Sequence, residues 1–122
     1  MKEYSFTIQG TMTGLNEYTN ACRSNKFQGA MIKATEGMRV KVQARALKGL
    51  KLKRVELQFN WYEKNKRRDL DNVAFAKKFV LDALQDLSVI ENDGWKNIAG
   101  FSDSFFVDKN NPRVEVVLKE VG

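Results

Sequence analysis

In the middle of the chain, Val55, Leu57, Phe59 and Trp61 are large and apolar, while Glu56, Gln58 and Asn60 between them are polar. This period of two predicts a β-strand over residues 54–62 with one apolar face. Residues 4–9 alternate in the same way and predict a second strand. Residues 98–107 and 113–118 predict two more, the last with Val114, Val116 and Leu118 on one face. The run Asp108-Lys109-Asn110-Asn111-Pro112 reads as the turn joining them. Helical spacing occupies the stretches between. Residues 29–47 place Met31, Ala34, Met38 and Val42 near one face, and residues 71–87 form the other helix. Residues 10–28, rich in Gly, Thr, Asn and Ser, read as a long loop, and residues 88–95 as a loop or short turn. Strands paired as hairpins with helices between them give an α+β fold, a two-layer sandwich of helices on a mostly antiparallel or mixed sheet. With 122 residues, one proline and no linker or repeat, the chain is expected to form a single domain over 1–122.

What the chain lacks narrows its chemistry. It has no histidine, so Ser-His-Asp and Cys-His catalysis and histidine zinc sites are excluded. It has one cysteine, Cys22, so there is no intramolecular disulfide and no thiolate metal cluster; Cys22 reads as a small structural residue. Catalysis, if any, must use carboxylates, lysine, hydroxyls or a hard metal ion held by oxygen. Lys and Arg number 21 against 15 Asp and Glu, a net charge of +6 that favours a polyanionic partner such as nucleic acid. No stretch approaches the roughly 20 apolar residues of a membrane span. The first residues carry Glu3 and alternate in polarity where a secretory leader would be basic and then apolar, so a cytoplasmic protein is expected.

The most informative segment is Lys66-Arg67-Arg68-Asp69-Leu70-Asp71-Asn72. Two carboxylates two residues apart stand at a helix start, behind a basic run that includes Lys64. A helix start alone accounts for one of them as an N-cap, and the other favours the macrodipole. On a wheel of about 100° per residue with Asp71 at zero, Val73, Ala76, Phe79, Val80, Ala83, Leu84 and Leu87 fill an arc from about 80° to 220°, the expected core face. Asp71, Lys78, Asp82 and Gln85 cluster within about 40° of zero, and Lys77 points about 100° away. Helical side chains lean toward the N-terminus, so the Lys78 ammonium is expected to approach the Asp69/Asp71 region, with an ion pair to Asp82 as the simpler alternative. Phe75, near the polar stripe, either contacts another element or stacks on a base. A third acidic group follows at Glu91-Asn92-Asp93-Gly94, which as a turn needs no other explanation. Should it return to the helix start, the clustered carboxylates would repel unless a cation sat among them, and oxygen ligands select a hard ion such as Mg²⁺. Such an ion polarises a phosphodiester and acidifies a bound water, replacing the missing histidine base. The opposing reading is a non-catalytic basic nucleic-acid-binding module in which Asp69 and Asp71 only cap a helix.

The ordered set Asp69-Leu70-Asp71-Asn72, then Lys78 with Leu81-Asp82-Ala83-Leu84, then Asn92-Asp93, resembles the RusA family of Holliday junction resolvases. The loop after the first strand, Leu15-Asn16-Glu17-Tyr18, fits the same order. The resemblance implies a RusA-like α+β fold and a crossover junction endodeoxyribonuclease that cuts four-way DNA as a homodimer with Mg²⁺. It implies that Asp69, Asp71 and Asp93 bind metal. Lys78 matches the family's catalytic lysine when aligned on the D-A-L segment, although about three extra residues lie between Asn72 and Leu81, which keeps Lys77 in play. Glu91 is a further ligand candidate. Lys64, Lys66, Arg67 and Arg68 are the expected contacts to the DNA backbone.

Overall fold

A computed structural model describes residues 2–122. The elements run β1 (Glu3–Gln9), α1 (Leu15–Ser24), α2 (Lys26–Ala44), a 3-10 turn (Arg45–Leu47), β2 (Val55–Glu63), α3 (Leu70–Ala74), α4 (Lys77–Asp86), β3 (Ile98–Val107) and β4 (Arg113–Glu120). The strands form one mixed sheet in the order β1-β4-β2-β3. β4 lies antiparallel to both β1 and β2, while β2 and β3 are parallel and joined through α3 and α4. The two-layer α+β expectation therefore holds. The hairpin expected between the last two strands does not form, because β2 lies between them. The turn after β3 crosses the end of β2, where Asp108 N–H donates to Glu63 O at 2.8 Å. Arg113 closes that turn onto Asp108 Oδ2 at 2.9 Å, which holds the Asp108 carboxyl below its ordinary range.

Register explains the core. Phe6 and Phe59 both face Val116, and Ile8 and Trp61 both face Val114, so one apolar row crosses three strands. Val55, Leu57, Phe59 and Trp61 are fully buried on that face, against Val40, Ala44, Val73, Ala76, Phe79, Val80, Ala83 and Leu84 from the helices. Burying a large side chain contributes on the order of 1.5–3 kcal/mol, so this row is the main source of stability. The arc read on the wheel thus faces the core, with Leu87 half-buried at its edge.

Three expectations for the helices need correction. Residues 10–28 are not a loop throughout. They hold α1, which has no fully buried residue and so leaves little apolar period in the sequence. The second helix begins at Lys26, where the Asn25 side chain accepts from Phe27 N–H at 2.7 Å. Its inward positions are Gly29, Glu36, Val40 and Ala44, while Met31, Ala34, Met38 and Val42 face outward. A Cβ at Gly29 would run into the Cys22 sulfur, so close packing on α1 selects the glycine face over the methionine face. The helix expected over 71–87 is broken. At Phe75–Ala76 the bonds tighten to i→i−3, with Ala76 N–H on Val73 O and Lys78 N–H on Phe75 O.

Candidate active site

The polar loop after β2 delivers the chain to α3 with Asp69 extended (φ −65°, ψ 156°) in the N-cap position. Its backbone carbonyl accepts from Val73 N–H at 3.1 Å, yet its carboxylate accepts no capping hydrogen bond. Asp71, in the first turn, is exposed as well. Neither carboxylate forms an ion pair among the described residues, because the adjacent cation is occupied elsewhere. Arg68 donates to Glu63 Oε1 at 2.7 and 2.9 Å, to Glu17 Oε1 at 3.2 Å and to Met12 O at 2.9 Å. Expected as a backbone contact, Arg68 is instead a half-buried strut between the β2 end and the start of α1.

Asn72 completes the clamp. Its Oδ1 accepts from Asn16 N–H at 2.9 Å, which fixes the first turn of α1 against α3. Gly14 lies against this pair so closely that a Cβ there would sit 2.6 Å from Asn72 Oδ1 and 2.9 Å from Arg68 Nη1, which only glycine avoids. Tyr18 of α1 packs on Phe75 and Phe79 at 5.4 and 5.6 Å between ring centroids. Phe75 therefore contacts another element, as one of its two readings held. The Cys22 thiol beside Tyr18, with burial, pushes its phenol above the ordinary value. Below this cluster Glu36, buried in α2, accepts from Thr13 N–H at 2.8 Å and pairs with Arg39 at 2.7 Å. Arg39 also donates to Gln9 O and Thr11 O, so the β1–α1 connection is fixed along its length.

The break before α4 gives the two adjacent lysines different surroundings. Lys77 turns inward and pairs with Asp103 Oδ2 at 2.8 Å, its ammonium 5.3 and 4.7 Å from the Phe59 and Phe101 ring centroids. Asp103 falls on the core-facing register beside Phe59, and Trp61 Nε1 donates to its other oxygen at 2.8 Å. Lys78 points out to solvent, with its side chain 58% exposed, 3.2 Å from Asp82 Oδ1 and 3.9 Å from Asp93 Oδ2. The loop after α4 thus does return to the helix layer, and Lys78 meets Asp93 there instead of the expected Asp69 and Asp71. Glu91 is exposed, and its N–H is held by Leu52 O.

Lys64, Lys66 and Arg67 are exposed on the loop that precedes Asp69. A cleft of about 310 Å³ opens beside them at the ends of β2 and β3, with Lys66 and Asp69 on its rim and Leu70, Phe105, Phe106 and Val107 among its walls. In donor type, Asp69 and Asp71 suit a hard divalent ion, being exposed oxygen ligands with no ion-pair partner among the described residues. Among the described residues, however, no three carboxylates stand close enough together to hold a metal ion. The expected convergence of Asp69, Asp71 and Asp93 around one ion is not closed in this arrangement.

The family model described as Endodeoxyribonuclease RusA matches residues 9–119. The chain belongs to the RusA endodeoxyribonuclease family. The match takes in both arms of the RusA candidate site, the α3 start and the loop after α4, together with β2, β3 and all of β4 but Glu120, and it reaches β1 only at Gln9. No curated protein matches the chain. No helix of the RusA fold described here is long and apolar enough to cross a membrane. Sequence reasoning missed Gly14, Glu36 and Asp103. Only Asp103 left a trace, as the acidic residue at an inward position of an otherwise apolar strand face.

Proposed function

We propose that this RusA-family chain is a Mg²⁺-dependent, structure-selective endonuclease that cuts four-way (Holliday) DNA junctions in the cytoplasm during recombination and repair. The observation that carries the reading is the state of Asp69. It occupies an N-cap position, accepts no capping hydrogen bond and has its neighbouring arginine locked onto glutamates, so capping does not account for it. Asp69, Asp71 and Asp93 are the residues that would hold the ion. With Mg²⁺ bound, the chemistry supplied is polarisation of a phosphodiester and acidification of the attacking water.

The chain's own groups do the rest. Lys78, exposed and beside Asp93, presents an ammonium to the charge that develops on the phosphate and leaving oxygens. Lys64, Lys66 and Arg67 contact the backbone, which selects for the shape of branched DNA and not for base edges. Two coordinated cuts on a symmetric junction call for two sites related by a two-fold axis, hence a homodimer. The outward stripe of α2, with Phe27 and Met31 each 68% exposed and Met38 60%, supports such a contact.

The test is a synthetic four-way junction incubated with the protein in Mg²⁺ or in EDTA. Nicking in Mg²⁺ alone is expected. Asp71→Asn should retain junction binding, or tighten it through the lost negative charge, while cleavage falls at least about a hundred-fold. Binding without metal-dependent nicking would leave the non-catalytic module, and normal cleavage by Asp71→Asn would remove that residue from the site.

A further inference from the structure

Trp95 is 99% exposed, while no other large apolar side chain among the described residues exceeds 68%. Its backbone is not loose. Gly94 O accepts from both Asn97 N–H and Ile98 N–H at 3.0 Å. Buried Asn97 donates from Nδ2 to Lys53 O at 2.7 Å and accepts from Val55 N–H at 2.9 Å. Arg54 Nη1 reaches Lys96 O at 3.2 Å. The loop is thus fastened to the start of β2, and the indole projects into water from a fixed base with no role in the core.

Its surroundings identify what it fits. Trp95 lies two residues beyond Asp93, whose carboxylate faces Lys78. Lys96 follows it, and Lys51, Lys53 and Arg54, all exposed, come from the segment to which the loop is fastened. A flat aromatic face among cations matches a nucleotide, with the base on the indole and the phosphate on an ammonium or guanidinium. We propose that Trp95 stacks on an unpaired or splayed base at the branch point of DNA held in the candidate active site. This inference rests on the junction-nuclease reading, and its test reads the indole and the base, not the cut.

The chain has two tryptophans, and Trp61 is 1% exposed, so iodide quenching of the intrinsic fluorescence reports Trp95. In EDTA, a four-way junction should protect the indole from iodide. A 2-aminopurine at the branch point should be quenched by the protein, whereas one inside a linear duplex should not. Trp95→Ala should abolish that quenching and weaken junction binding about ten-fold or more, Trp95→Phe should retain most of both, and melting temperatures should match the parent. Protection and quenching without nicking in Mg²⁺ would uphold the stacking role and sink the nuclease reading. Nicking with the indole still open to iodide, and with Trp95→Ala unchanged in KM, would overturn the stacking role alone. A loss of dimer in Trp95→Ala, with 2-aminopurine untouched, would make the residue a protein contact and overturn it too. No DNA binding at all would overturn both.

Discussion

Lys77 and Lys78 differ by one step of helix, yet one stabilises the fold and the other faces the candidate site. Lys77 and Asp103 have side chains only 19% and 23% exposed, and the carboxylate's other partner is the Trp61 indole. Lys77→Ala leaves that carboxylate half satisfied, a loss of about 1–3 kcal/mol, which should lower the melting temperature by several degrees. Lys78 pairs with Asp82 at the surface, an interaction worth no more than about 1 kcal/mol. Lys78→Ala should therefore leave the melting temperature nearly unchanged while cleavage falls about 10²–10³-fold, the effect of losing one electrostatic stabiliser. Thermal melts and single-turnover cleavage of the two variants separate the roles, and the reverse pattern would exchange them. The outward placement of Lys78 beside Asp82 was legible on the wheel, but its separation from Asp69 and Asp71 was not, because the wheel assumes one unbroken helix over 71–87. Nor was the role of Lys77, because it depends on a carboxylate 26 residues away that only strand register brings beneath α4.

At the level of elements, the position of α2 was legible and its orientation was not. Apolar periodicity marks a helix but does not say whether the stripe meets this chain's core or another surface. Here the inward face is fixed by Gly29 against α1 and by the Glu36–Arg39 pair beneath the β1–α1 connection, polar features that hydropathy scores as outward. The break between α3 and α4 was hidden for a similar reason: Phe75 and Ala76 are ordinary helix residues, and the change of direction comes from packing Phe75 on Tyr18. The exposed stripe carries its own prediction. Met31→Glu with Met38→Glu replaces two largely exposed side chains outside the core cluster, so the fold and melting temperature should persist. If the stripe covers a second copy, sedimentation should shift from dimer to monomer, and paired cutting of a junction should give way to single nicks. A double variant that remains dimeric would move the contact off α2.

At the level of the whole molecule, the strands were legible one by one, but the order β1-β4-β2-β3 was not. A five-residue turn between two strands suggests a hairpin, and nothing local reveals that β2 will lie between them, since that follows from β4 closing the apolar row shared with Phe6 and Phe59. This order makes β2 and β3 parallel neighbours, and their shared end, where the loop of Lys64, Lys66 and Arg67 meets Asp69, becomes one rim of a cleft. The net charge of +6 is thus not spread evenly in its effect, because Arg68 is neutralised by Glu63 and Glu17 while the three exposed cations beside it form no ion pair among the described residues. For duplex arms the logarithm of the binding constant falls with the logarithm of salt by about 0.9 per phosphate neutralised. Replacing Lys64, Lys66 and Arg67 together by Gln should weaken junction binding at low salt and make that slope shallower by about 2–3. Arg68→Gln should act differently, lowering the melting temperature through the lost Glu63 and Met12 contacts while the slope stays close to the parent's. Titrations of a labelled junction from about 50 to 200 mM salt measure both. An unchanged slope in the triple variant would move the DNA path away from this rim, toward the basic segment around Lys51, Lys53 and Arg54 on the other end of β2.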